Sequence, residues 1–264
     1  MTATSGISVA QIETTTEGKV PEITLPFWIT KIAATTLGEV GGDAVTMSMN
    51  LGYFVGSAIF GTVFLVAAIA QIAVKRFHPF LFWFVIAATT TFGTTLADFF
   101  DRSLGIGYLG GSTCLFLLLM TSLGLWYWSV GSVSVRKITS RKAELFYWIT
   151  IMFSQTLGTA LGDWVADPQT GLGLGYEGGA VLFAACLAVI AALYFWTNVS
   201  HTLLFWAAFI LTRPLGATVG DFLDKPIASG GLALSRYSAA AAIAVFMVGC
   251  ILLFPKRAEK TVTD

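Results

Sequence analysis

Apolar residues in this chain gather into eight long runs, and the polar and turn-forming residues collect in the short connections between them. The runs lie near 25–45, 51–74, 80–101, 105–130, 145–166, 176–198, 203–223 and 233–254. Each is close to the ~20 residues that a helix needs to cross a bilayer. They are continuous rather than alternating, unlike the roughly 10-residue strands of a membrane barrel. The pattern predicts an all-α integral membrane protein with eight transmembrane helices.

A second periodicity is laid over the first. Trp28, Trp83, Trp148 and Trp206 each stand ten residues before a glycine, namely Gly38, Gly93, Gly158 and Gly216. Each glycine stands five residues before an aspartate, namely Asp43, Asp98, Asp163 and Asp221. Four gapless copies of W-x9-G-x4-D mark an internal repeat, and repeats decide architecture before any other feature does. Each copy holds two apolar runs, so all four enter the membrane from the same side, as parallel helical hairpins rather than inverted ones. Such hairpins can close into a ring or pack as two pairs. The repeats cover about 25–75, 80–130, 145–198 and 203–255 within one membrane domain, 24–255. A polar tail over 1–23, read as flexible, precedes it, and a short tail over 256–264 follows. The first tail lacks the apolar core of a signal peptide.

The second run of each hairpin opens on small residues: Leu51-Gly52-Tyr53, Ile106-Gly107-Tyr108 and Leu174-Gly175-Tyr176, with Ser229-Gly230-Gly231 in the divergent fourth copy. Small residues let helices approach closely in lipid.

Charge fixes the orientation. Lys19, Lys75, Arg76, Arg136, Lys137, Arg141, Lys142, Lys256, Arg257 and Lys260 flank one set of run ends, and the opposite connections hold only Arg102, Lys225 and Arg236. Basic residues favour the cytoplasmic side, so both termini are expected there. Trp28, Trp83, Trp126, Trp128, Trp148, Trp196 and Trp206 fall at the same ends, where an interfacial aromatic belt is expected. Only 11% of residues are charged, against about 25% in a soluble domain. The net charge of zero leaves no basic footprint for nucleic acid. Cys114, Cys186 and Cys250 lie singly in apolar runs, and His78 and His201 lie in connections, so neither type builds a metal site inside the runs.

The candidate chemistry is acidic. Of fifteen Asp and Glu residues, eight lie two to a repeat: Glu39 and Asp43, Asp98 and Asp101, Asp163 and Asp167, Asp221 and Asp224. Spacings of three or four residues put both members of a pair on one helix face. The repeat aspartate lies fifteen residues from its tryptophan, roughly 22 Å along a helix, toward the outer face. The same windows hold four bases: Lys31, Arg102, Arg213 and Lys225. Carboxylates in that excess need protons, water or a cation. Carboxylates and hydroxyls are hard oxygen ligands suited to Mn²⁺, Mg²⁺, Ca²⁺, alkali ions or protons. A stripe of hydroxyls, including Thr35, Thr90, Thr94 and Thr159, adds polarity near the glycines, although threonine often bonds its own helix.

The four tryptophans and the Gly/Asp pairs that follow them resemble a family of bacterial multi-pass "membrane-anchored" proteins. Those proteins are built from four tandem copies of a repeat of unknown function, with two transmembrane segments and a characteristic tryptophan in each. The resemblance covers about residues 24–255 and implies a bacterial plasma-membrane location. Arg213-Pro214, the displaced Glu39 and the missing Leu-Gly-Tyr of copy four depart from strict repetition.

The expected function is transport of a small hard cation such as Mn²⁺, with proton exchange as a route of coupling. Asp43, Asp98, Asp163 and Asp221 are the expected ligands, and Glu39, Asp101, Asp167 and Asp224 the acids around them. Lys31 and Arg213 are the expected counter-charges. The expected partners are the bilayer, the cation or proton, and optionally a second copy of the chain. No resident cofactor is expected. A cation channel with an aspartate ring is the alternative, and a scaffold or intramembrane enzyme a third. HExxH, GxSxG and P-loop signatures do not occur.

Overall fold

A computed structural model describes residues 17–138, 140–254 and 257–260. Among them, eight long helices follow one another: α1 (Leu25–Asp43), α2 (Gly52–Ala73), α3 (Pro79–Asp98), α4 (Tyr108–Val130), α5 (Arg141–Ala166), α6 (Gly175–Trp196), α7 (His201–Asp224) and α8 (Arg236–Leu253). Their ends are written in the sequence. Proline stands in the first turn of α1 and α3, where its missing N–H costs nothing. Ser140 caps α5 by accepting from the backbone N of Ala143 at 3.2 Å. Gly131 ends α4 in the left-handed region, φ 82°. After Asp43 and Asp98 the helix widens into five-residue π-turns, Ala44–Ser48 and Phe99–Ser103.

The odd-numbered helices form a closed ring. α1 packs on α3, α3 on α5, α5 on α7, and α7 returns to α1. Of the two arrangements open to parallel hairpins, the molecule adopts the ring. The even-numbered helices lie outside, each on the first helix of the next repeat: α2 on α3, α4 on α5, α6 on α7 and α8 on α1. Along their most apolar windows α3 and α7 are 67% and 72% buried, whereas α2, α4, α6 and α8 are between 11% and 28% buried. The outer helices therefore present apolar surface outward. Six helices, all but α1 and α5, are long and apolar enough to cross a membrane. α1 and α5 are ring helices whose polar residues, including Lys31, Glu39, Gln155 and Asp163, are buried in the interior.

The repeat glycines make the ring. A Cβ on Gly38 would collide with Thr90, one on Gly93 with the backbone of Gln155 and Thr156, one on Gly158 with Arg213, and one on Gly216 with Thr35. Thr35, Thr90, Gln155 and Arg213 each stand three residues before their own repeat's glycine. One register contact is thus repeated around the ring, the last copy closing on the first. Close approach at small residues is how helices associate where no hydrophobic effect drives them together. Two threonines add hydrogen bonds across it: Thr90 Oγ1 donates to the Ala34 carbonyl at 3.1 Å, and Thr35 Oγ1 to the Thr212 carbonyl at 3.2 Å.

Aromatic residues fill the end of the ring where these helices begin. Phe27 meets Trp83 at 5.5 Å between ring centroids, Phe82 meets Trp148 at 5.7 Å, Tyr147 meets Trp206 at 6.3 Å, and Phe205 meets Trp28 at 5.8 Å. This corrects the expectation of an interfacial belt. Trp83, Trp148 and Trp206 are buried and Trp28 is half-buried, because the residue before each of these four tryptophans reaches the next repeat's ring, and Trp126 is buried edge-on against Trp206. Trp128 and Trp196 are each 84% exposed.

The N-terminal tail also differs from expectation. Glu17–Pro21 forms a strand, β1, that pairs antiparallel with β2, Ala258–Lys260. Lys19 ties β1 to the bundle through Glu144 at 2.8 Å and the Ile72 carbonyl at 3.1 Å. Residues 1–16 lie outside the described residues.

Gly93→Ala is expected to lower stability by about 1–3 kcal/mol, because the new Cβ would sit 2.9 Å from backbone atoms of α5. Gly41→Ala, with open space around its Cβ, is expected to be neutral or to stabilise by up to about 1 kcal/mol. Thermal unfolding of the two variants in detergent checks the difference.

Candidate functional site: a charged layer closing the helical ring

At the far end of the ring, one residue per helix matters first. Asp43, Asp98, Asp163 and Asp221 occupy the same register and are all buried. Each lies in the field of the others: Asp98 feels Asp163, Asp43 and Glu39, and Asp221 feels Glu39, Asp163 and Asp43. Four buried like charges cannot stand alone.

Two bases divide them. Arg102, nine residues after Gly93, binds Asp98 at 2.9 Å and Asp163 at 3.1 Å. Lys225, nine residues after Gly216, binds Asp221 at 3.0 Å and also Asp43. The same register holds Met47 in repeat one and Asp167 in repeat three. Each base therefore joins its own repeat's aspartate to that of the next repeat, and the fourfold ring carries a twofold charge pattern. The two halves differ in chemistry. Arg102 is a rigid fork that also donates to the Tyr53 hydroxyl at 3.3 Å and lies against the Tyr108 ring. Lys225 is a point charge on a flexible stem, just beyond the end of α7. Burial opposes its charge, but Asp221, Asp43 and Asp224 outweigh burial and hold the ammonium well above its usual range.

The second acids diverge. Glu39 turns inward and pairs with Arg213 at 2.9 Å, both buried. Asp224 pairs with Arg236 at 2.7 Å, and Arg236 also approaches Asp43 at 3.9 Å. Asp101 is buried against Gly111, and neither of its oxygens has a hydrogen-bond partner among the described residues. Asp167 leaves the layer: its Oδ1 accepts from the backbone N of Gln169 at 2.7 Å and of Thr170 at 2.8 Å, capping the turn after α5. The expectation that Asp167 belongs to the acid cluster is thereby corrected, since a residue bonding the next two amides is a turn residue.

Below the aspartates, Arg213 fills the axis. Its Nη2 donates to Glu39 Oε2, to Thr94 Oγ1 at 2.6 Å and to Thr159 Oγ1 at 2.5 Å. Glu39, Thr94 and Thr159 each follow their repeat's glycine directly, so one guanidinium joins three repeats. Among the described residues Lys31 pairs with no acid, which corrects the expectation that it is a counter-charge to them. Its Nζ is 3.4 Å from Thr212 Oγ1 and 4.0 Å from the Phe209 ring centre.

The structure thus gathers six carboxylates and four bases into three ion-paired groups: Asp98 and Asp163 on Arg102, Asp43, Asp221 and Asp224 on Lys225 and Arg236, and Glu39 on Arg213. Glu39, Asp43 and Asp221 offer oxygens within 4.8 Å of one another, a spacing that three ligands of one cation can use. Sequence reasoning passed over Arg236 as a base of this layer. Its signal was the loss of Leu-Gly-Tyr in copy four, where Arg236-Tyr237 stands instead.

Four stretches of the chain, 26–77, 81–132, 146–200 and 204–260, match the Repeat of Unknown Function (DUF347). The chain belongs to the DUF347 family. No curated protein and no solved structure matches it. The four matched stretches are the four hairpins, so one DUF347 repeat supplies one inner helix, one aspartate of the layer and one outer helix that covers its neighbour.

Arg102→Gln is expected to destabilise the protein by about 3–5 kcal/mol, since it strands two buried carboxylates. Adding Asp98→Asn and Asp163→Asn to that variant is expected to recover most of the loss. Melting temperatures of the single and triple variants check this. Asp167→Asn, which keeps the turn cap, is expected to change stability by less than about 0.5 kcal/mol.

Proposed function

We propose that the protein is a membrane transporter for a small hard cation, with Mn²⁺ or a similar divalent ion as the substrate class. The observation that carries this reading is the aspartate layer: four carboxylates at one register of four repeats, bridged in pairs by Arg102 and Lys225, with Arg236 approaching Asp43. Intramembrane ionisable residues mark ion paths more often than they serve stability. Oxygen ligands at this density suit hard cations.

In this reading all eight helices span the plasma membrane, with both termini in the cytoplasm and the aspartate layer toward the outside. Asp43, Asp221 and Glu39 take the ion. Lys225 is the internal cation that holds their place until the ion arrives, because its stem leads out of the layer and can carry the ammonium away. Asp98 and Asp163, held by the Arg102 fork, keep the other half rigid. A proton arriving at these carboxylates releases the ion, which gives the exchange its coupling.

The closed axis favours a carrier over an open channel. Arg213 bridges three helices at mid-depth, and the aromatic ring closes the other end. Passage therefore requires a conformational change, as alternating access does. The extent of the ion pairing supports one other reading, a scaffold whose charges hold the ring together.

Thermal unfolding of the purified chain across Mn²⁺, Mg²⁺, Ca²⁺, Na⁺, K⁺ and Zn²⁺ at two pH values separates these readings. A carrier is expected to show selective stabilisation by one hard ion, of about 2.7 kcal/mol at a hundred times its dissociation constant. That shift is expected to vanish in Asp43→Asn with Asp221→Asn and to weaken at the lower pH. A scaffold would melt at the same temperature in every cation.

A further inference from the structure

The middle of the ring carries the opposite polarity from its end. Lys31 and Arg213 are both completely buried there, and one carboxylate, Glu39, pairs with Arg213. All the hydrogen bonds of Arg213 pass through Nη2; its Nε and Nη1 have no partner among the described residues. Lys31 has one long bond, to Thr212 Oγ1 at 3.4 Å, and the face of Phe209. Thr212 immediately precedes Arg213, so the two cations meet at one turn of α7. On α5, Ser154 and Gln155 hold the registers of Thr212 and Arg213. Both are completely buried, and neither the Ser154 hydroxyl nor the Gln155 amide has a partner among the described residues. An unpaired buried donor costs free energy, and an unpaired buried cation costs far more. What this level lacks is an acceptor that carries negative charge.

We infer that the ring centre is a binding site for a small monovalent inorganic anion of the halide class, held by Lys31 Nζ and by Nε and Nη1 of Arg213. A monatomic anion accepts from several donors at once, which suits the leftover donors of Arg213 and the single long bond of Lys31. It would satisfy the leftover guanidinium donors and bring Lys31 a counter-ion, since Glu39 is already paired with Arg213. This site adjoins the cation site through the Arg213–Glu39 pair, lies nearer the aromatic end, and is argued from unpaired donors and not from the cation reading.

The repeat supplies substitutions that the fold already accommodates. Lys31 shares its register with Ile86, Ile151 and Phe209, and Arg213 shares its register with Gln155. Lys31→Ile and Arg213→Gln therefore place in one repeat what others already carry. The full chain is purified in gluconate, and its melting temperature is followed as chloride or bromide replaces gluconate at constant ionic strength and constant cation. A saturable rise of roughly 3–6 °C is expected for the wild type. Lys31→Ile is expected to abolish it while leaving any response to divalent cations in place, and Arg213→Gln to weaken it at least tenfold in apparent affinity. Crystals grown in bromide are expected to show anomalous scattering beside Arg213. A wild-type melting temperature independent of halide overturns the inference. So does a halide shift that survives in Lys31→Ile, which would place the ion on the surface. If Arg213→Gln does not fold, Lys31→Ile alone decides. Halide binding without a divalent-cation response would sustain this site and sink the cation proposal, and the converse result would do the reverse.

Discussion

Four glycines, one per repeat, set the distance between the ring helices, and the charged layer exists because of that distance. Gly38, Gly158 and Gly216 each admit a side chain from the neighbouring helix, and Gly93 admits the backbone of α5, where a Cβ would block it. The helices then run close enough for residues one and five positions further on to meet across the axis. Glu39, Thr94 and Thr159 converge on one guanidinium, and Asp43, Asp98, Asp163 and Asp221 share two bases. Wider spacing would let water or lipid between the helices and would dissolve both layers. The outer helices do little to set this geometry. Each covers the next repeat, so every repeat depends on its neighbour, and the last is completed by the first.

Symmetry and its breaking divide the work. Positions that build the ring are kept in all four copies: the tryptophan, the glycine and the aspartate. Positions that carry positive charge are not. Lys31, Arg102, Arg213 and Lys225 occur in one or two copies each, at registers where the other copies hold isoleucine, phenylalanine, methionine, aspartate, threonine or glutamine. The result is a fourfold set of acids with a twofold set of bridging bases and a single axial arginine. A symmetric ring of acids would be an uncompensated charge in a low-dielectric interior, and breaking the symmetry neutralises it in part. The incomplete neutralisation leaves carboxylate chemistry at one end and cationic chemistry in the middle.

Much of this was legible in the residues. The hydrophobic runs gave eight helices to within a few residues, because apolar length and turn residues are local signals. The motif spacing named the ring glycines and aspartates before any contact was known. What was not legible depended on partners distant in sequence. Ring or paired hairpins turns on whether α7 meets α1, a contact across nearly 180 residues (Thr35 to Thr212) that no local pattern encodes. Trp83, Trp148 and Trp206 read as interface anchors because a tryptophan at the end of an apolar run has no visible neighbour; the neighbour is the aromatic residue before the preceding repeat's tryptophan. Asp167 read as a site acid because spacing alone does not distinguish a helix face from a turn cap. Arg236 was visible as a residue but not as a member of the layer, since its reach to Asp224 and Asp43 comes from the fold of the loop before α8.

The most direct measurement is ion flux in proteoliposomes. Purified wild-type chain and a variant with Asp43, Asp98, Asp163 and Asp221 all changed to Asn are reconstituted at equal density, and Mn²⁺ entry is followed with an internal dye across an imposed proton gradient. The account expects entry well above protein-free vesicles for the wild type, dependence on the gradient, and background entry for the folded variant. Equal entry through the wild type and the variant, or background entry through a folded wild type for every hard cation, would contradict it.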